Sequence, residues 1–155
     1  MNSCFCIGYK GNIEAYIYIW FSKENGLVYV GETNNKNGVI GRANQHVQKG
    51  GTLYERCYEK GYELNEINDF ILLSFPLPRE KRFLSEDTGY RISVEYLVQH
   101  NLIEMNNQAN RKYKIVSNIQ TGPYTNLNKI KKIAEEISEK FINICLLYTS
   151  PSPRD

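Results

Sequence analysis

The chain has little of what builds a metal centre or a disulfide scaffold. Its 155 residues include two histidines and four cysteines: Cys4, Cys6, Cys57 and Cys145. The Cys4-x-Cys6 pair has no second pair at zinc-ligand spacing, which excludes a zinc finger. No dense cysteine framework exists either, so a reducing, cytoplasmic setting is expected. No basic stretch followed by an apolar run opens the sequence, and no signal peptide is expected. The longest early apolar run, Ala15–Phe21, is far too short to cross a bilayer, so no membrane partner is expected. A strong charge of one sign is also missing, since the net charge is only +2. That balance alone does not require a polyanionic partner.

What is present is a tyrosine-rich, ordinary globular composition, with twelve tyrosines against one tryptophan. Tyrosine suits strands and half-wet sites because its ring is apolar and its tip polar. Basic residues gather in three places: Arg79, Lys81 and Arg82; Arg111, Lys112 and Lys114; Lys129, Lys131 and Lys132. Such clusters permit phosphate contact, but taken alone they read as solvated surface.

Ala15–Phe21 and Leu27–Gly31 read as strands, with the hairpin signal Asn25-Gly26 between them. Tyr16, Tyr18 and Trp20 share one face, and alternation puts Tyr29 on the same face as Tyr18. Val39–Lys49 reads as a helix with Val39, Ile40, Ala43 and Val47 as its apolar stripe, and Gly50-Gly51 ends it. Arg42 and His46 lie one turn apart beside that stripe. Leu53–Gly61 reads as a short helix and Asp69–Phe75 as a third strand closed by Pro76 and Pro78. Residues 79–86 read as a loop. Asp87 or Thr88 is placed to cap a helix running to about His100, with Ile92, Tyr96 and Leu97 inward. Residues 101–128 read as polar connection, with at most one short strand at Tyr113–Val116. Asn128–Ile144 is an amphipathic helix carrying Ile130, Ile133, Ile137 and Phe141 on one side. The expected class is α+β: a small three-stranded, mainly antiparallel sheet flanked by helices, plus a C-terminal amphipathic helix.

The last eleven residues, Cys145–Asp155, resemble one translated frame of a common transposase-end sequencing adapter. That resemblance implies a tail of non-native origin. The expected organisation is a catalytic domain at 1–118, a linker and helix at 119–144, and the tail at 145–155.

An ordered set of residues carries the chemistry. Tyr16-Ile17-Tyr18 is followed, eleven positions after Tyr18, by Tyr29-Val30-Gly31. Arg42 comes next on a helix, with His46 four residues on; Glu95 heads Glu-Tyr-Leu-Val, and Asn107 follows it by twelve. Each alone is an ordinary strand tyrosine, helix residue or turn asparagine. Together they resemble the GIY-YIG nuclease superfamily over about residues 13–110.

Hydrolysis of a phosphodiester needs an activated water, neutralisation of charge on the pentacoordinate phosphate, and help for the leaving oxygen. Glu95 is the carboxylate suited to hold one hard ion, Mg²⁺ or Mn²⁺. Arg42 offers a planar donor fork for phosphate oxygens. The resemblance implies that Tyr18 takes the proton from water. A free phenol has a pKa of about 10 and needs nearby positive charge or a proton acceptor to do so. His46 can accept that proton or hold the phenol, and Tyr29 can bind phosphate or water. Gly31 allows close approach of the chain. Asn107 is expected to steady the Glu95 region or touch the substrate backbone. The implied activity is metal-dependent cleavage of DNA in restriction, repair or a mobile element.

Two rivals remain: a catalytically inactive nucleic-acid-binding module on the same fold, and a protein-interaction domain that docks through the 128–144 helix. Three departures from the family pattern stand out. Tyr16 occupies a place where glycine is usual. Glu32 follows the second motif where many members carry a basic or neutral polar residue. The long gap between Arg42 and Glu95 implies an insertion around 51–88, a place for target recognition.

Overall fold

The computed structural model describes residues 14–34, 38–108 and 113–149. Cys4, Cys6, Asn110, Arg111, Lys112, the loop at 35–37 and residues 150–155 lie outside them.

The sheet is built around β1 (Tyr16–Ser22), which pairs antiparallel with β2 (Leu27–Thr33) on one side and β3 (Ile71–Pro76) on the other. Every residue of β1 is buried. A strand covered on both faces reads as a continuous apolar run, and Tyr-Ile-Tyr-Ile-Trp-Phe does so. The hairpin is wider than the Asn25-Gly26 signal suggests: Ser22 faces Leu27, and Tyr29 faces Trp20. The cause is Asp69. Its carboxylate accepts from the Ser22 hydroxyl at 2.6 Å and the Glu24 main-chain N–H at 2.7 Å, which holds a four-residue turn open. Gly26 takes the left-handed conformation there, φ 60°. The register differs by two residues from a two-residue loop, so side-chain parity is kept and Tyr18 and Tyr29 share a face.

A fourth strand, β4 (Lys114–Ile115), lies parallel to β2 at Leu27–Val28 and extends the expected three-stranded sheet to the order β3-β1-β2-β4. It stops early, and past Val28 the edge of β2 is met by side chains instead. The Val30 N–H donates to Ser117 Oγ at 3.1 Å.

Helices cover both faces. On the front, α1 (Gly38–Val47) and α2 (Thr52–Glu59) close over Tyr16, Tyr18, Trp20, Leu27 and Tyr29. On the back, α4 (Gly89–Gln108) and α5 (Asn128–Thr149) bury Ile17, Ile19, Phe21, Val28, Val30, Leu73 and Phe75. A single helical turn, α3 (Lys81–Leu84), precedes α4 in the stretch read as a loop.

Several expectations are corrected. The inward side of α1 is Val39, Ala43 and His46, while Ile40 and Val47 are exposed. The phase is set by His46, which turns inward to a polar partner. On α4 the buried residues include Val94, Val98 and Leu102, and Ile92, Tyr96 and Leu97 are only half-buried. That helix runs two turns beyond His100. Thr88 and Asp87 both cap it: the Thr88 carbonyl accepts from Ile92 N–H, and Asp87 Oδ1 accepts from Gly89 N–H at 2.8 Å. The apolar side of α5 packs on its own domain. Ile130, Ala134, Ile137, Phe141 and Cys145 join the back core, so the helix expected to end at Ile144 continues through Cys145 into the stretch assigned to the tail.

Candidate active site

The front face of the hairpin gathers four of the expected groups at one place. The Tyr18 hydroxyl lies 2.6 Å from Nε2 of His46. The rings of Tyr18, Tyr29 and His46 form a triangle, with centroids 6.4 Å apart between the phenols and 5.5 Å from each phenol to the imidazole. Arg42, one turn before His46, acts on the Tyr18 phenol electrostatically and donates to Gln45 at 3.2 Å. Thr52, the first residue of α2, acts on Tyr29 and favours its ionised form.

Gly31 explains how Tyr18 is held. It stands opposite Tyr18 in the hairpin, and the phenol ring lies across it. A Cβ at Gly31 would sit 2.3 Å from both Cζ and Oη of Tyr18. Gly31→Ala is therefore expected to displace the ring, destabilise the domain by about 1–3 kcal/mol and slow any phenol-dependent turnover by about 10²-fold. Melting and turnover of the variant measure this; unchanged turnover would show that the seat of the ring is irrelevant to the chemistry.

Glu95 reaches the same site from the back layer. Alternate residues of β2 (Val28, Val30, Glu32) turn their main-chain groups away from β1, toward the edge that β4 leaves open. There the main chain of Glu32 comes near the Glu95 carboxylate and favours its charged form. Gln99, one turn on, adds a long contact of 3.4 Å to Glu95 and ties the helix to Ser117 Oγ at 3.0 Å and the Asn118 carbonyl at 3.1 Å. The charge of Glu95 acts on both phenols.

Burial dominates the protonation of all four titrating groups. It holds the Tyr18 phenol well above the tyrosine range, reinforced by Tyr29 and Glu95 and opposed by Arg42. Tyr29 is pushed up to about 12 by burial and Glu95. His46 is pushed down to about 4 by burial and by Arg42, so its ring is neutral near pH 7 and Nε2 is free to accept a proton. Its Nδ1 is buried without a hydrogen-bond partner among the described residues. Glu95 is raised to about 8 by burial and by the neighbouring Glu32 carboxylate.

The last shift has a consequence for stability. The folded pKa of Glu95 lies above its ordinary value of 4.5, so folding favours the acid form. That contribution is complete below pH 4.5 and is lost as pH rises through about 8. Glu95→Gln, tested without divalent cations, is expected to match wild type in acid. It should gain roughly 2 kcal/mol above pH 8, a figure discounted because the group is half-buried. Denaturant midpoints across pH check this, and a variant less stable than wild type at pH 9 would contradict it.

The departure at Glu32 is resolved by a residue that sequence reading missed. Arg91 is 2% exposed and donates from Nε to the Glu32 carboxylate at 2.5 Å, and from Nη1 to the carbonyls of Phe83 and Ser85 at 2.7 Å each. The acid after the second motif is therefore neutralised by a buried guanidinium. Arg91 stands four residues before Glu95, so the two share a helix face. That spacing is the one signal that pointed to it. The other departure, Tyr16, is buried in the front core with its hydroxyl donating to Glu14 at 3.3 Å.

Asn107 is not brought to the site. It sits exposed in the last turn of α4, roughly 18 Å of helix rise from Glu95. Its neighbour Asn106 has the anchoring role, pairing with both the N–H and the carbonyl of Tyr113 at 3.1 and 2.9 Å.

The hairpin face of the sheet thus carries paired phenols, with an imidazole and a guanidinium from α1 beside them. The family model described as the GIY-YIG catalytic domain matches residues 14–84, which contain Tyr18, Tyr29, Gly31, Arg42 and His46. The superfamily resemblance read from the sequence is thereby shown. Neither the curated proteins nor the solved structures gave a match.

Proposed function

We propose that this protein is an endonuclease that hydrolyses DNA phosphodiester bonds with one divalent cation, Mg²⁺ or Mn²⁺. The observation that carries the reading is the Tyr18 hydroxyl at 2.6 Å from a neutral, buried imidazole, with Arg42 and Glu95 acting on the same phenol.

A phenol this reluctant to ionise can take a proton from water only by passing its own proton on. His46 Nε2 is the acceptor in contact. Arg42 disfavours a charged His46, and a phosphate bound at Arg42 offsets that repulsion, so substrate itself makes the imidazole a better base. Arg42 then faces the charge that grows on the phosphate oxygens. Tyr29, stacked beside Tyr18, orients the attacking water or a phosphate oxygen.

The donor set fits a hard cation. Among the described residues, no group of three or more His, Cys, Asp and Glu side chains is placed to hold a metal. Glu95 is a half-buried carboxylate that accepts from the Gln99 amide at 3.4 Å, and among the described residues no cationic side chain is hydrogen-bonded to it. An ion held by one carboxylate completes its shell with phosphate oxygens and water. Such an ion supplies charge stabilisation at the phosphate and the leaving oxygen.

The deciding experiment is nicking of supercoiled plasmid with Mg²⁺ or Mn²⁺, with and without a chelator, beside DNA binding across salt concentrations. Divalent-dependent nicking and affinity that falls steeply with salt are expected. Salt-sensitive binding without nicking on several DNAs would select the inactive binding module instead.

A further inference from the structure

A second constellation lies at the start of α4, apart from the phenol cluster. Arg82, Ser85, Asp87, Tyr90 and Tyr124 line an open cleft of ≈ 440 Å³. Ligand sites commonly span about 300–1,000 Å³. Its walls are aromatic. The rings of Tyr90 and Tyr124 lie 4.6 Å apart at 44°, and the Arg82 guanidinium sits 5.3 Å from the Tyr90 centroid while donating to the Tyr90 hydroxyl.

These walls are fixed in advance. Phe83 meets Tyr90 edge-on at 5.3 Å. The Tyr124 main-chain N–H donates to Ser93 Oγ at 2.9 Å. Two glycines allow the segment carrying Tyr124 to lie flat on α4. A Cβ at Gly122 would be 2.3 Å from Ser93 Oγ, and one at Gly89 would be 2.9 Å from the Tyr124 ring. A ring placed this way gives up little freedom when a ligand arrives. Arg82 is exposed, and beyond its bond to Tyr90 its guanidinium N–H groups have no partner among the described residues.

The cleft is also close to the acid. The Ser85 carbonyl accepts from Asn34 Nδ2 at 3.0 Å and from Arg91 Nη1 at 2.7 Å. Arg91 holds Glu32, whose carboxylate is near enough to Glu95 to raise its pKa. Along α4, Tyr90 and Glu95 are separated by roughly 7.5 Å of rise and about 1.4 turns of helix.

A flat aromatic surface beside a guanidinium with unused donors suits a base and its phosphate. We propose that this cleft is a nucleotide subsite: a base near the cleaved phosphate stacks on Tyr124 while a backbone phosphate meets Arg82. A base can present its face to Tyr124 only when it is out of the duplex stack. The preferred substrate is therefore DNA with an unpaired nucleotide beside the cleavage point. This rests on the nuclease reading.

The test uses the whole chain and short duplexes with or without an unpaired flap, the flap carrying 2-aminopurine. Wild type should quench the flap fluorescence and cleave flapped DNA with the lower KM. Tyr124→Ala should lose the quenching and raise KM about tenfold at similar kcat, and Tyr124→Phe should behave as wild type. Arg82→Ala, at an exposed position, should weaken binding without lowering the melting temperature. Tyr124→Ala that cleaves and quenches as wild type does overturns the subsite alone. Quenching by wild type with no cleavage of any DNA overturns the nuclease reading and leaves the subsite standing.

Discussion

Tyr18→Phe is expected to lower the nicking rate by about 10²–10⁴-fold, the usual worth of a positioned acid–base group. The ring and the hydroxyl have separable roles here. The ring packs in the front core across Gly31, and phenylalanine keeps that packing. The hydroxyl is the atom in contact with His46 Nε2, and in the proposed mechanism it hands the water proton to the imidazole. Folding should survive, because losing the hydroxyl leaves one buried nitrogen unpaired, a penalty of about 1–3 kcal/mol. Single-turnover nicking beside a thermal melt separates the two effects. A folded variant that cuts at the wild-type rate would mean that some other group activates the water.

Arg91→Met is expected to destabilise the domain by about 3–5 kcal/mol, because it strands a partner charge. Arg91 is buried, neutralises Glu32, and satisfies two carbonyls at the end of α3. Without it, the Glu32 carboxylate is left without its cationic partner beside Glu95. The double variant Arg91→Met with Glu32→Gln should recover part of the loss, since both members of the pair are then neutral. Urea midpoints of the two single variants and the double measure the coupling. Simple additivity, or a loss below about 1 kcal/mol for Arg91→Met, would show the pair to be incidental.

The hairpin half of the site was legible in the sequence because strand alternation is robust. A turn two residues longer than expected left Tyr18 and Tyr29 on one face, since only an odd slip separates them. Asp69, forty-five residues from Glu24, set the turn length and had no local signature. The α1 stripe was misread at Ile40 and Val47 because His46, a polar residue, takes an inward place beside Tyr18. The inner face of α4 was misread for a different reason. This helix is covered by the sheet on one side and α5 on another, so its buried positions spread around the axis and no single stripe marks them. Asn107 failed because the helix runs on through it, and an asparagine twelve residues along a continuous helix cannot fold back to its start. The Arg91–Glu32 pair joins a strand to a helix across fifty-nine positions, and only the packed chain reveals it.

The central claim is that hairpin phenols, the α1 guanidinium and an acid from the back layer act on one phosphate. Plasmid nicking by Glu95→Gln beside wild type, both at saturating Mg²⁺ and both shown to be folded, tests it most directly. Nicking by wild type that is abolished in Glu95→Gln is the expected result. Equal nicking by the two proteins would contradict it.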